Sequence, residues 1–326
     1  MTPIGIGGYG RVYKGKHVIE GKEYAIKEML KARILKKKCI ERVRFEKEVM
    51  AKLDSPFLMN MEYSFTDEES LYLVMDLMKG GDLTHNLRKH GRFNEEQTKF
   101  IIASIILGLE EMHKKGVMHK DLKPDNILFD DKGYLKIADF GISEACSKKK
   151  KDCKSGTPGY RAPEQVQNKD HEASVDYYAL GVIAFKCIFR KNPHTSEEAK
   201  IRSKLKHGTF GVKVAADSLP EGYSASASDF LTSLLEIVPK KRLGYQGNID
   251  ALKQHPWFES FPWDKLSSKA LVAPYVPTQK STNFDSSRAQ KQFGDEGSEE
   301  LIKCQELLKQ HKYQCLFEDF SFDHSH

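Results

Sequence analysis

The hydrophobic rhythm of the chain changes along its length. Residues 4–27 alternate apolar and polar positions around a cluster of glycines, which is the period of strands. From Lys31 to Leu53 the spacing is helical, rich in Lys, Arg and Glu, and predicts one helix. "SLYLVMDLM" (Ser70–Met78) reads as a strand that "GGD" then breaks. Asn94 with Gln97 three residues on has the pattern of a capping box. It opens a helix that is apolar on most sides, and therefore buried, and that Gly116 stops. Two short strands, "NILFD" and "YLKIADF", flank the turn "DDKG". Beyond Ser174 the pattern is mostly helical as far as "HPWF" (His255–Phe258). Strands first and helices after predict an α+β protein with a small sheet-rich lobe, a larger helical lobe and a cleft between them. Residues 259–326 have another texture, with Pro262, Pro274, Pro277, many serines, one amphipathic piece and the aromatic ending "FEDFSF". They read as a tail wrapped over the domain.

Composition narrows the class. With 326 residues, 39% hydrophobic and 30% charged, the chain is an ordinary folded protein with room for two real cores. A net charge of +6 is modest and does not point to nucleic acid. The lysine runs at 35–38 and 148–151 read as solvated surface. The six cysteines form no Cys-x-x-Cys pair and no zinc-type His/Cys grouping. Scattered cysteines in a large lysine-rich chain predict reduced thiols and a cytoplasmic protein with access to the nucleus. No secretory signal opens the chain, and no apolar run approaches the ~20 residues of a membrane span.

The chemistry-bearing residues come in separate pieces. "GIGGYGRV" sets glycines at 5, 7 and 10 before Val12, so the backbone can approach a phosphate closely. A dinucleotide-binding turn would run straight into a helix. Here two strand-like segments follow, which favours a hairpin lid over a nucleotide. Lys27 of "AIK" can reach phosphates beneath that lid if a carboxylate steadies it, and Glu46 and Glu48 both lie on the following helix. In "HKDLKPDN" (His119–Asn126), Asp121 can orient a hydroxyl nucleophile and accept its proton. Lys123 can steady a transferring phosphoryl group. Asn126 and, in "DFG", Asp139 offer oxygens to Mg²⁺. These are the residue types that metal-assisted phosphoryl transfer needs.

Taken in order and spacing, these pieces together with "APE" (Ala162–Glu164) resemble a eukaryotic protein kinase over residues 4 to about 258. "DLKP" and "GTPGYRAPE" resemble the Ser/Thr class. In the tail, "PYVP", "NFD" and "FEDFSF" resemble the AGC group, which includes the cyclic-nucleotide-dependent kinases, and "FTDEESLYLVMDLMKGGDL" resembles its YANK branch. The resemblance implies the bilobal kinase fold, with a catalytic domain at 1–258 (small lobe about 1–75, hinge about 76–78, large lobe about 79–258) and a tail at 259–326. It implies ATP and Mg²⁺ as cofactors, protein substrates with Ser or Thr acceptors, no nucleic-acid partner, and a monomer. Lys27, Glu46, Asp121 and Lys123 would be catalytic. Ile4, Gly5, Gly7, Gly10, Val12, Ala25, Lys27, Met75, Asp76, Met78, Asp82 and Phe284 would meet the nucleotide, with Asn126 and Asp139 on the metal. Met75 would be the gatekeeper. Asp176 would anchor the catalytic loop, Thr157 would contact Asp121 and Lys123, and Glu164 would pair with Arg242. The aromatic ending would dock on the small lobe, with Ser321 the target of an upstream kinase.

Four departures matter. Lys120 stands where the family carries arginine, so the bidentate grip on an activation-loop phosphate is lost. Cys153 stands where many AGC kinases carry the phosphorylated threonine. Together these imply a loop that does not depend on a phosphate at that site, with Ser147 and Ser155 as the remaining acceptors. Lys186 stands where basophilic members carry a glutamate, which predicts weaker selection of basic substrates. Met1 lies three residues before the glycine-rich stretch, so the first strand should be short. Lys27, Asp121, Asn126 and Asp139 are all present, which favours an active enzyme over a catalytically silent scaffold.

Overall fold

Alternation around the glycines does produce strands. The computed structural model describes residues 1–147, 155–194, 197–278 and 297–323. It divides into two units, Met1–Asp54 with Met59–Lys79 and Gln279–His326, and Ser55–Leu58 with Gly80–Thr278.

The first unit is built on an antiparallel sheet. Strands β1 (Thr2–Ile6), β2 (Arg11–Lys16), β3 (Glu23–Leu30), β4 (Met61–Thr66) and β5 (Ser70–Asp76) are joined by a tail strand, Phe322–Asp323, in the order β1-β2-β3-β5-β4-tail. The β2–β3 register sets Val12 opposite Lys27, and the β3–β5 register sets Ala25 opposite Met75. The stretch predicted as one helix is two: α1 (Lys31–Lys36) and α2 (Ile40–Lys52). Lys38 takes the left-handed conformation at φ 52°, and the amides of Lys38 and Cys39 bond back to the carbonyls of Leu35 and Ile34. That is a Schellman ending closed by a lysine, so the usual glycine signal was missing. Ile34, Val43, Val49, Leu71 and Leu73 fill the core under the sheet.

The second unit is mainly helical. After β6 (Gly81–Asp82) and α3 (Leu83–His90) comes α4 (Glu95–Lys114), opened by a formed capping box between Asn94 and Gln97. Gly116, at φ 72°, closes it. Strands β7 (Val117–Met118), β8 (Ile127–Phe129), β9 (Leu135–Ile137) and β10 (Glu144–Ala145) make two small ladders, β6-β8-β9 and β7-β10. Then follow α5 (Pro163–Val166), α6 (Ser174–Phe189), α7 (Glu198–Lys206), α8 (Ala225–Leu234), α9 (Ile249–Lys253) and α10 (Trp263–Ser267). Helix α6 is apolar nearly all round and is buried accordingly. Burial pushes the Cys187 thiol on this helix up to about 12, which makes it inert. Among the described residues no helix is long and apolar enough to cross a membrane.

Candidate active site

In the first unit the β-ladder delivers Lys27 to helix α2. Its Nζ lies 2.5 Å from Glu46 Oε1, and both side chains are largely shielded, at 13% and 2% exposure. Glu48, two residues on and on another side of the helix, is exposed and lies 3.9 Å from Lys52. The glycine-rich turn between β1 and β2 is closed by Gly7 N–H donating to the Gly10 carbonyl at 2.8 Å. A Cβ on Gly10 would lie 1.9 Å from the Glu28 carbonyl oxygen, so the close approach of turn and strand requires glycine there. Lys37 adds a contact that the sequence did not announce, with Nζ donating to the Gly8 carbonyl at 2.6 Å. Ile4, Gly5 and Val12 lie on β1 and β2, Met75 and Asp76 end β5, and Met78 is buried.

The second unit holds the loop His119–Asn126 on a buried carboxylate. Asp176 of α6 accepts the backbone N–H groups of His119 at 2.9 Å and Lys120 at 2.8 Å. His113 Nε2 meets the same carboxylate at 2.8 Å, and His113 Nδ1 meets the Tyr177 hydroxyl at 2.8 Å. Burial alone would raise the Asp176 carboxyl. The hydrogen bond and charge of His113 and the hydrogen bond from the Lys120 amide outweigh it and hold the group below the usual carboxylate range. His119 is fixed in one tautomer. Its Nδ1 accepts from the Asp121 amide at 3.2 Å, so Nε2 carries the proton and donates to the Ala138 carbonyl at 3.1 Å. The Ala138 amide in turn donates to the Asn126 carbonyl at 2.9 Å. These bonds lace the Asp121–Asn126 loop to the strand end that carries Asp139, which sits at φ 67°.

Asp121 has both oxygens engaged. Oδ1 accepts from Thr157 N at 2.8 Å and Thr157 Oγ1 at 2.6 Å, while Oδ2 lies 2.6 Å from Lys123 Nζ. Lys123 also donates to Thr157 Oγ1 at 3.0 Å. The Asn126 Nδ2 group donates to the Asp121 carbonyl at 2.9 Å, which leaves its Oδ1 as an acceptor for a hard cation. Gly156, at φ 106°, lets the segment before Thr157 pass close to the loop, and a Cβ there would lie 2.9 Å from the Lys120 carbonyl oxygen. Asp82 caps α3, with Oδ1 accepting from His85 N at 2.6 Å. Asp125 accepts from Thr84 Oγ1 at 3.0 Å. Phe284 and Cys153 lie outside the described residues.

Lys120 itself points inward. Its Nζ is 2.6 Å from Glu144 Oε2, with side chains 1% and 7% exposed. The pairing of β7 with β10 sets Glu144 opposite Met118, two residues before Lys120. Sequence reasoning missed Glu144. Its only signal was a carboxylate five residues after Asp139. Further along, Arg242 forks onto Glu164 with contacts of 2.7 and 3.0 Å, and it also donates to the Ser174 and Glu236 carbonyls. Lys186 Nζ donates to the Tyr160 hydroxyl at 2.9 Å.

The family model described as "Protein kinase domain" matches residues 1–258. The chain is 36% identical over 288 residues to a probable serine/threonine-protein kinase of Dictyostelium discoideum, covering 86% of this chain and 62% of that one. It is 34% identical over 298 residues to serine/threonine-protein kinase sgk-1 of Caenorhabditis elegans, covering 90% and 62%. It is 34% identical over 286 residues to rhodopsin kinase GRK1 of Homo sapiens, covering 85% and 50%. The chain thus spans 62% or less of the length of these relatives.

Proposed function

This chain belongs to the protein kinase domain family, and from that premise we propose that it is an active protein serine/threonine kinase that moves the γ-phosphoryl group of ATP to Ser or Thr hydroxyls of proteins. The observation that carries the reading is the hydrogen-bonded set Asp121–Lys123–Thr157, held on Asp176. In this reading Asp121 orients the acceptor hydroxyl and takes its proton as the new O–P bond forms and the bond to the leaving diphosphate breaks. Lys123, already beside Asp121, steadies the charge on the transferring group. Lys27, steadied by Glu46, engages the nucleotide phosphates. The residues fit a divalent cation. Asn126 has a carbonyl oxygen directed away from its own hydrogen bond, and Asp139 supplies a carboxylate on the laced loop. Mg²⁺ held there would neutralise phosphate charge.

We assign the catalytic domain to 1–258 and an AGC-type tail to 259–326, on "PYVP" and "FEDFSF". Within that group, which includes the cyclic-nucleotide-dependent kinases, "FTDEESLYLVMDLMKGGDL" favours the YANK branch. What supports docking of the tail is that Phe317 and Phe320 are each 4% exposed. Arg44 also donates to the Leu316 carbonyl at 2.8 Å, and Ser64 to the Phe320 carbonyl. The activation segment, in this reading, supplies its own anion, because Glu144 meets Lys120 where the family's arginine would meet a phosphate. The test is phosphate transfer by the purified, phosphatase-treated chain to a degenerate Ser/Thr peptide library. Turnover of roughly 1–100 per second, lost in Asp121→Asn and Asp139→Ala, is the expected result. ATP binding without transfer would overturn it and favour a silent scaffold.

A further inference from the structure

Zinc was not expected from the sequence, which has no Cys-x-x-Cys pair. The tail nevertheless gathers three zinc-type donors. His311 opens the short helix His311–Gln314, Cys315 follows it, and Glu318 ends the turn Cys315–Phe317. The His and Cys positions are four apart, so one helical turn stacks them. Cys315 Sγ lies 3.2 Å from His311 Nδ1. One donor atom from each of His311, Cys315 and Glu318 lies within 4.8 Å of the others. Donors bonded to one tetrahedral Zn²⁺ at about 2.0–2.3 Å stand somewhat closer together than that. The remaining contraction is within reach of side-chain rotation, because His311 and Glu318 are exposed.

The backbone beneath these donors is already anchored. Gln314 Nε2 donates to the Glu68 carbonyl at 2.8 Å and to the Leu308 carbonyl at 3.0 Å. Lys31 Nζ donates to Gln314 Oε1 at 2.7 Å. Arg44 holds the Leu316 carbonyl. A site whose scaffold is fixed while its donor side chains stay accessible loses little ordering entropy on binding. A mixed imidazole, thiolate and carboxylate set selects a borderline ion such as Zn²⁺ over Mg²⁺ or Ca²⁺.

We propose that His311, Cys315 and Glu318 form a Zn²⁺ site, with water as a fourth ligand, whose ion fastens the helix His311–Gln314 to the turn bearing Phe317. The cysteine binds as thiolate and releases its proton to solvent. The site stands independently of the kinase reading.

The experiment titrates Co²⁺, as a spectroscopic stand-in, and Zn²⁺ into the full chain after chelator treatment and dialysis. It compares the wild type with Cys315→Ser, His311→Ala, Glu318→Ala and the control Cys304→Ser. The expected result is one ion per chain with a thiolate charge-transfer band. Affinity should fall at least tenfold in Cys315→Ser and His311→Ala and stay unchanged in Cys304→Ser. Zn²⁺ should also slow hydrogen exchange across 311–323 in the wild type and not in Cys315→Ser. No binding at micromolar metal, or binding indifferent to Cys315 and His311, overturns the site. Binding that leaves exchange across 311–323 unchanged overturns the fastening.

Discussion

Replacing Glu144 by Gln tests the self-supplied anion most directly. The Lys120–Glu144 pair is 2.6 Å long and almost wholly buried. Removing one partner of such a pair costs about 3–5 kcal/mol, because the remaining charge stays in a low-dielectric site. Both side chains make further interactions, so the lower figure, about 3 kcal/mol, is the better expectation. For a domain of about 150–250 residues that lowers Tm by about 6–12 °C. Lys120→Met should cost a similar amount. The double variant Lys120→Met with Glu144→Gln should cost less than the sum of the singles, because neither charge is then left behind. If the pair also orders the activation segment, 3 kcal/mol weights that equilibrium by about 150-fold. Phosphate transfer by phosphatase-treated Glu144→Gln should then fall by up to that factor while ATP affinity holds. The assays are thermal melts of all four proteins and peptide phosphorylation at saturating ATP. Singles that each cost under about 1 kcal/mol and add without coupling would refute the reasoning. So would a wild type that is silent until phosphorylated at Ser147 or Ser155.

Other perturbations have equally defined outcomes. Arg242→Ala should cost about 3–5 kcal/mol, read by denaturant melts, because it strands the buried Glu164 carboxylate. Burial, with the Lys204 charge adding, holds His194 near 4, so the unfolded chain binds more protons between about pH 6.5 and 4. Its contribution to stability is complete above pH 6.5 and is lost as pH falls through 4. Tm should drop over that window, with a shallower slope in His194→Phe. Phe320→Ala should cost about 3–5 kcal/mol of local packing and make the tail protease-sensitive while the second unit stays resistant. Lys186→Glu should raise the preference for arginine two residues before the acceptor in a peptide array, because a repelling charge becomes an attracting one.

What could be read from the sequence was what acts locally. The capping box at Asn94 and Gln97 needs two residues three apart, and it formed as written. The β-alternation around Gly5–Gly10 and the strands either side of "DDKG" likewise depend on neighbours. The helix break at Lys38 was hidden because a lysine, not a glycine, carries the left-handed cap. Glu144 was hidden for a different reason. It reaches Lys120 only after β7 and β10 have paired, and no local pattern encodes that meeting. His113 escaped for the same reason, since α6 must first bring Asp176 to it. His311 and Cys315 stand four residues apart, but with no second cysteine nearby that spacing carries no zinc pattern of its own; Glu318 joins them only once the tail has turned.

The tail strand Phe322–Asp323 lies along β4, with Phe322 opposite Ser64. It occupies the outermost position beyond β4, where a row of peptide groups would otherwise face solvent and invite another chain to add itself. Two residues of tail therefore act as a guard against self-association. Truncation before Phe322 should leave a protein that is folded but prone to stacking edge to edge as its concentration rises.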